Sequence, residues 1–319
     1  MVDFGLGLVG RTRMTSSLCL ALDIGATKLG AALVGRRGDI RRSAKRHTPE
    51  GCDPEMLFSE VTNLLDGLLE SEVDSPLALG VGSPGPVKDG SEVSPLNIPA
   101  WRGFPLRRRL EDRYGLATFV ELDTKALALA EGWTGAARGR RNYLAMVVST
   151  GIGGGLVLDG RLVEGRTGNA GHVGHVIVCP EGRPCSCGGR GCLEAEASGW
   201  AIAAITGRPP REATSEVIEH TGQLVGQALA SVATLCDLDL VVVAGSVALG
   251  FGAPFFRAAV SALHDYATQD YARQTQVVPA GLGARAPLVG AAAVAWRGLG
   301  EREETPWEAT TAGGCEPER

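Results

Sequence analysis

The chain has 319 residues, enough for two domains of roughly 100–200 residues each. A hydrophobic content of 44% and a charged content of 21% exclude a wholly disordered chain. A net charge of −5 gives no overall positive field for nucleic acid or anionic lipid, and no stretch holds the roughly 18 unbroken apolar residues of a membrane helix. Glycine is the outlier at 45 of 319 residues, about twice its usual share of roughly 7%, which calls for tight turns and close backbone approaches.

Residues 1–17 carry Arg11 and Arg13 without an apolar segment of signal-peptide length, so they read as a flexible extension of a cytoplasmic protein. A buried strand is expected at Leu18–Asp23, ending in the turn Gly25-Ala-Thr-Lys28, with further strands at Ala31–Val34 and Ile40–Ala44. Leu57, Val61, Leu64, Leu65 and Leu68 have helical spacing over Pro54–Leu69. A strand at Leu77–Gly82, a charged helix at Pro105–Tyr114, a strand at Thr118–Leu122 and a helix at Thr124–Ala136 follow. The pattern then repeats. Tyr143–Ser149 is a buried strand ending in the turn Thr150-Gly-Ile-Gly-Gly154, and Leu156–Leu162 continues it as a hairpin. Glu212–Leu235 is expected as a long helix, Leu240–Ala244 as a strand, and Ala253–Ala267 and Ala286–Leu299 as helices. Two strand–glycine-turn–hairpin units point to two similar α/β halves facing one another. Residues 300–319 read as a disordered acidic tail.

Two glycine motifs are decoys. Gly5-Leu-Gly-Leu-Val-Gly10 has no strand before it, and Gly80-Val-Gly-Ser-Pro-Gly85 has no helix after it, so neither makes a dinucleotide fingerprint. No segment matches a Walker A loop. Asp23-Ile-Gly25-Ala-Thr27-Lys28 is more informative. An acidic residue at a strand end can hold a metal–phosphate complex through water, and the small residues after it let backbone N–H groups approach phosphate. Alone it is as well read as a polar hairpin turn. Its echo at Ser149-Thr150-Gly151-Ile-Gly153-Gly154 turns the pair into a phosphate clamp, and Gly245-Ser246, after Val241–Val243, suits the nucleoside end.

Cys185-Ser-Cys187-Gly-Gly-Arg-Gly-Cys192 is the strongest local signal. Three thiolates on a glycine-rich knuckle, completed by His175, would form a closed Cys₃His zinc site that pins residues 168–194; Cys179 is the alternative fourth ligand. Asp123 falls where a strand hands over to a helix. It reads as an N-cap or as a general base facing a cleft.

Together these segments resemble the ROK family of repressors, open reading frames and kinases, over roughly residues 18–299. The resemblance implies two actin- and hexokinase-like (RNase H-like) α/β lobes with ATP and sugar in the cleft between them. The first lobe would span 18–123 and be completed by the helix 286–299; the second would span 124–285 with the zinc loop 168–194. It implies that Asp23, Gly25, Thr27 and Lys28 form the first phosphate segment and Thr150, Gly151, Gly153 and Gly154 the second, with Gly245 and Ser246 on the adenosine. Asn97, His172, His175 and Glu194 fall at sugar-contacting positions, Asp123 at the catalytic aspartate, and His175, Cys185, Cys187 and Cys192 at the zinc set. Mg²⁺ with ATP, a structural Zn²⁺ and a homodimer are implied in the same way; some relatives use polyphosphate as donor.

Three departures from the family pattern stand out. Leu122 and Lys125 replace two asparagines, and His172 replaces the glutamate of Gly-Glu-x-Gly-His. Gly171-His-Val-Gly-His175 is the form that resembles bacterial N-acetylmannosamine kinases, so that sugar is the expected acceptor, with glucose or another hexose as the alternative. A sugar-responsive repressor would need a DNA-binding domain, for which 17 residues before Leu18 leave no room. The basic run Arg36, Arg37, Arg41, Arg42, Lys45 and Arg46 is interrupted by Asp39 and reads as a hairpin coat rather than a nucleic-acid contact. A non-catalytic sugar sensor is the rival reading.

Overall fold

In a computed structural model, Leu18–Ile24 (β1) is buried on both faces, as a strand with a parallel neighbour and helices on each side must be. The structure describes residues 18–300 except Ser71, Val73 and Leu96; the expected N-terminal extension and all but the first residue of the expected acidic tail lie outside the described residues. Lys28–Gly35 (β2) returns antiparallel to β1, and Ile40–His47 (β3) pairs with β2 at the sheet edge. Pro54–Leu69 (α1) starts at Asp53, whose side chain accepts the Met56 N–H, and buries Leu57, Val61, Leu64, Leu65 and Leu68 along one stripe. Ala78–Ser83 (β4) lies parallel to β1. A small ribbon of Val87–Lys88 (β5) and Glu92–Val93 (β6), then Leu106–Tyr114 (α2), lead to Ala117–Leu122 (β7), parallel to β4. The sheet order is β3-β2-β1-β4-β7.

Asp123–Thr134 (α3) passes to a second sheet of the same design. Tyr143–Val148 (β8), Ile152–Leu158 (β9) and Arg161–Leu162 (β10) are antiparallel in turn. Leu193–Ala197 (α4), Gly199–Thr206 (α5) and Ser215–Cys236 (α6) precede Leu240–Ala244 (β11), which lies parallel to β8. Ser246–Phe251 (α7), Ala253–Tyr266 (α8) and Asp270–Arg273 (α9) lead to Gln276–Pro279 (β12), parallel to β11. The order β10-β9-β8-β11-β12 repeats that of the first sheet.

Ala286–Gly300 (α10) then returns to the first sheet, packing on β1 and β4 and crossing α3. Five layers result. Leu20, Leu22, Leu79 and Val81 face α1 and α2 on the outside of the first sheet. Cys19, Ala21, Ala32 and Ala78 face α10 and α3 on its inside, in one cluster with Ala145, Val242 and Ala244 of the second sheet, which packs on α3 through β8 and β9. Leu144, Met146, Val241 and Val243 face α6 and α8 on the far outside. The central layer is thin because glycines line it. A Cβ at Gly80 would collide with the Ala291 carbonyl, and one at Gly290 would lie 2.7 Å from the Ala126 carbonyl oxygen.

The described residues differ from the sequence reading in bounds and in small elements. β9 begins at Ile152 rather than 156, because Gly153–Gly155 pair in register with β8 instead of turning. α4, α5, α7, α9 and β12 carry no long periodic pattern and were not expected. No helix among the described residues is long and apolar enough to cross a membrane.

Candidate active site

β1, β4 and β7 place Asp23, Gly82 and Glu121 side by side in register, and Asp123 follows two residues after Glu121. Gly82 leaves open ground between the acids: a Cβ there would stand 3.7 Å from both the Asp23 Oδ1 and the Asp123 Cα. The N-cap of α3 is Leu122, which makes no side-chain cap bond; Asp123 is the first helical residue, and its Oδ1 accepts the Thr124 N–H at 2.7 Å. The capping reading of Asp123 is thereby corrected.

Asp123 is open to the cleft by accessible area, yet protein encloses it on its other sides, and that enclosure pushes its carboxyl up to about 6 against the Thr124 N–H bond. Burial, then repulsion from Asp123, pushes Asp23 up to about 7, with Lys45 opposing. Lys45 shares the register with Asp23 across the side-chain-free Gly30. Two neighbouring acids titrating near neutrality can hold a proton or a divalent cation between them.

The first glycine turn is closed by the Gly25 N–H donating to the Lys28 carbonyl at 2.9 Å, with the Thr48 hydroxyl on the Gly25 carbonyl at 2.7 Å; Thr27 and Lys28 are exposed. The second turn is shorter than the sequence suggested. Thr150 and Gly151 form it, whereas Gly153 and Gly154 lie within β9. A Cβ on Gly153 would press on Thr124, and one on Gly154 on Leu144 and Val173. Their lack of side chains is used by packing.

Around the second turn the chain converges. The Ser149 carbonyl accepts the Gly199 N–H at 2.7 Å, the Thr150 carbonyl accepts the Trp200 N–H at 3.1 Å, and the Ser149 and Ser246 hydroxyls lie 2.9 Å apart. Gly245 has a φ of 103°, and a Cβ there would strike the Val148 carbonyl, so only glycine fits. A cavity of about 510 Å³ opens here, lined by Thr150, Trp200, Pro210, Arg211 and Ser246 among others. Trp200, 66% exposed, and Arg211 were missed from sequence; an aromatic just after Ser198-Gly199 was the available signal. A groove of about 600 Å³ between α6 and α8 is larger but contains none of these residues.

The segment after β10 carries His172 and His175, whose ring centroids are 5.9 Å apart. Burial, then the charge of His175, lowers the pKa of His172, while Glu194 opposes the shift. Glu194, in the first turn of α4, accepts the Ile152 N–H at 2.8 Å, which ties the histidine side of the cleft to the second glycine turn. Asn97 is exposed on the turn after β6 in the first lobe.

His175, Cys185, Cys187 and Cys192 bring four ligand atoms within 4.8 Å of one another; Cys179 is not among them. The Cys185 Sγ lies 3.7 Å from the His175 Nδ1, and the Cys187 and Cys192 sulfurs are also 3.7 Å apart. Tetrahedral coordination with metal–sulfur bonds of about 2.3 Å gives edges of about 3.7 Å, so this donor set fits zinc with no position left open.

The family model described as ROK family matches residues 19–297. The chain belongs to the ROK family. An N-acetylmannosamine kinase of Citrobacter koseri is 37% identical over 250 residues, covering 73% of this chain and 84% of the relative. The ROK hexokinase of Thermus thermophilus superposes with a TM-score of 0.80 at 32% identity, covering 89% of this chain and 99% of that one. A ROK family glucokinase from Streptomyces griseus, solved in complex with glucose and AMPPNP, gives 0.76 at 30% identity, covering 88% and 99%. The chain shares the fold of those ROK sugar kinases over nearly nine-tenths of its length.

Proposed function

We propose that this protein is an ATP-dependent kinase that phosphorylates the 6-hydroxyl of N-acetylmannosamine. The observation that carries the kinase reading is Asp123: a carboxylate open to the cleft, next to Asp23, with its pKa lifted to about 6. The choice of sugar is supported by the Gly171-His-Val-Gly-His175 segment and by the 37% identical N-acetylmannosamine kinase.

Asp123 accepts the proton of the sugar hydroxyl as that oxygen attacks the γ-phosphorus of ATP; the bond from γ-phosphorus to the β,γ-bridging oxygen breaks, and ADP leaves. The Gly25–Lys28 and Thr150–Gly151 turns present N–H groups to the phosphates, and the Lys28 ammonium adds charge there. Trp200 and Arg211 border the base, and Gly245 and Ser246 the ribose. Asp23 would hold Mg²⁺, which supplies charge neutralisation on the phosphoryl oxygens. His172, His175, Glu194 and Asn97 recognise the sugar. Neutral His172 offers one donor and one acceptor where a glutamate only accepts, which suits a sugar bearing an N-acyl group. Zinc on His175, Cys185, Cys187 and Cys192 would fix His175 in place. A zinc–thiolate set suits a reducing compartment, which supports reading the enzyme as cytoplasmic.

The test is ADP release from Mg²⁺–ATP with N-acetylmannosamine, N-acetylglucosamine, glucose, mannose and allose, with Asp123→Asn as control. N-Acetylmannosamine is expected to lead glucose at least a hundredfold in kcat/KM. Glucose is the second reading, favoured by the 30% identical glucokinase that holds it, and a lead for glucose would establish it. Silence on every sugar would overturn the kinase reading and leave a sugar sensor.

A further inference from the structure

Lys125 is buried completely, two residues after Asp123, and the mechanism above does not use it. Its ammonium has three N–H groups to place. It donates to the Glu164 Oε2 at 2.7 Å and to the Gly168 carbonyl at 2.7 Å, and Glu121 Oε1 stands 3.6 Å away. Both short bonds go to the segment that follows β10 and runs into His172 four residues later. Glu164 is held on its other oxygen by Arg297 of α10 at 2.6 Å. Further along, a Cβ at Gly171 would strike the Gly154 carbonyl, so the segment lies directly on β9. The Asn169 amide bonds to the Thr167 carbonyl at 2.8 Å and reaches the Val87 carbonyl of β5 at 3.4 Å.

Stability alone is a poor account of such a lysine. A buried ion pair gives back in desolvation much of what it gains in attraction, and apolar replacements are often as stable. What an apolar residue cannot do is hold the Gly168 carbonyl, which no other described side chain does. On the sugar-kinase reading, we propose that Lys125 is a positioning residue for sugar recognition: it ties the first turn of α3, which carries Asp123, to the segment that carries His172. Sugar hydroxyl and general base are then set relative to one another by one short strut.

The full-length enzyme with Lys125→Met tests this. The sugar KM is expected to rise tenfold or more, with the ATP KM moving less than twofold. A merely structural lysine would instead lower the fraction of active enzyme, and so kcat, with both KM values unchanged. The double variant Lys125→Met, Glu164→Gln removes the uncompensated carboxylate; it is expected to recover thermal stability but not the sugar KM. Amide hydrogen exchange gives a readout independent of turnover: Lys125→Met should speed exchange at residues 166–172 at least tenfold and leave 150–152 unchanged. A folded Lys125→Met with wild-type sugar KM and wild-type exchange overturns the proposal, as does an equal rise in both KM values. A wild-type enzyme silent on all sugars overturns the kinase reading instead, and the exchange result still decides whether the strut exists.

Discussion

Asp123 and Asp23 hold their carboxyls at about 6 and about 7, above an ordinary value of 3.8, and this acts on both rate and stability. A base must be deprotonated to act, so kcat/KM is expected to climb with pH through about 6 and level off above it, measured as an initial-rate profile at saturating ATP. Asp123→Asn should lose at least about a hundredfold in kcat, the lower end of what general bases contribute. The stability effect has the opposite sense. With the folded pKa raised, the native state takes up protons that the unfolded chain does not, so stability falls as pH rises from about 4 to about 6 and stays reduced above that. Asp123→Asn removes this penalty. Its Tm by calorimetry should exceed wild type at pH 8, with the difference closing near pH 4; a lower Tm at pH 8 would contradict the argument. The position of Asp123 was legible in the sequence, because a strand ending in Glu121-Leu-Asp123 and handing over to a helix is a local pattern. Its titration was not, because the enclosure comes from β1 and β4, remote in the chain.

At the scale of elements, the glycines divide into those that turn and those that touch. Gly25 and Gly245 meet backbone constraints at turns, as the sequence suggested. Gly153 and Gly154 were read as part of a phosphate turn and lie in a strand instead. A missing side chain is the same symbol whether a phosphate or a neighbouring helix takes the space. Gly80→Ala should cost about 3 kcal/mol or more by denaturant unfolding, since the new methyl meets the main chain of α10 rather than a side chain that can turn aside. The cysteine knuckle was fully legible, because three ligands and their glycines lie within eight residues, Cys185–Cys192. Chelation of the purified protein should release about one zinc per chain and raise the sugar KM, because His175 is one of the four ligands and Glu194 follows Cys192 by two residues. The elements that escaped the sequence reading, α5 and β12 among them, are eight and four residues long, too short for a periodic pattern. Trp200 and Arg211 went with them.

At the scale of the whole molecule, the repeated strand order was visible as two strand–turn–hairpin units, and each half buries its own outer helices. The inner layer was given only by the family resemblance, which completes the first lobe with the helix 286–299. Nothing local in Ala286–Gly300 says that it returns to the first sheet, although its run of small residues is what lets it lie so close. That closeness governs how the halves can move. α10 meets β4 at Gly80 and α3 at Gly290, and α3 meets β9 at Gly155, main chain upon main chain. Layers that shear past one another do so by exchanging side-chain rotamers, and at these points there are none to exchange. Closure over two substrates is then expected to proceed as rotation about the α3–α10 crossing rather than as shear. A substitution at Gly290 would then disturb opening and closing without altering any residue assigned to either substrate.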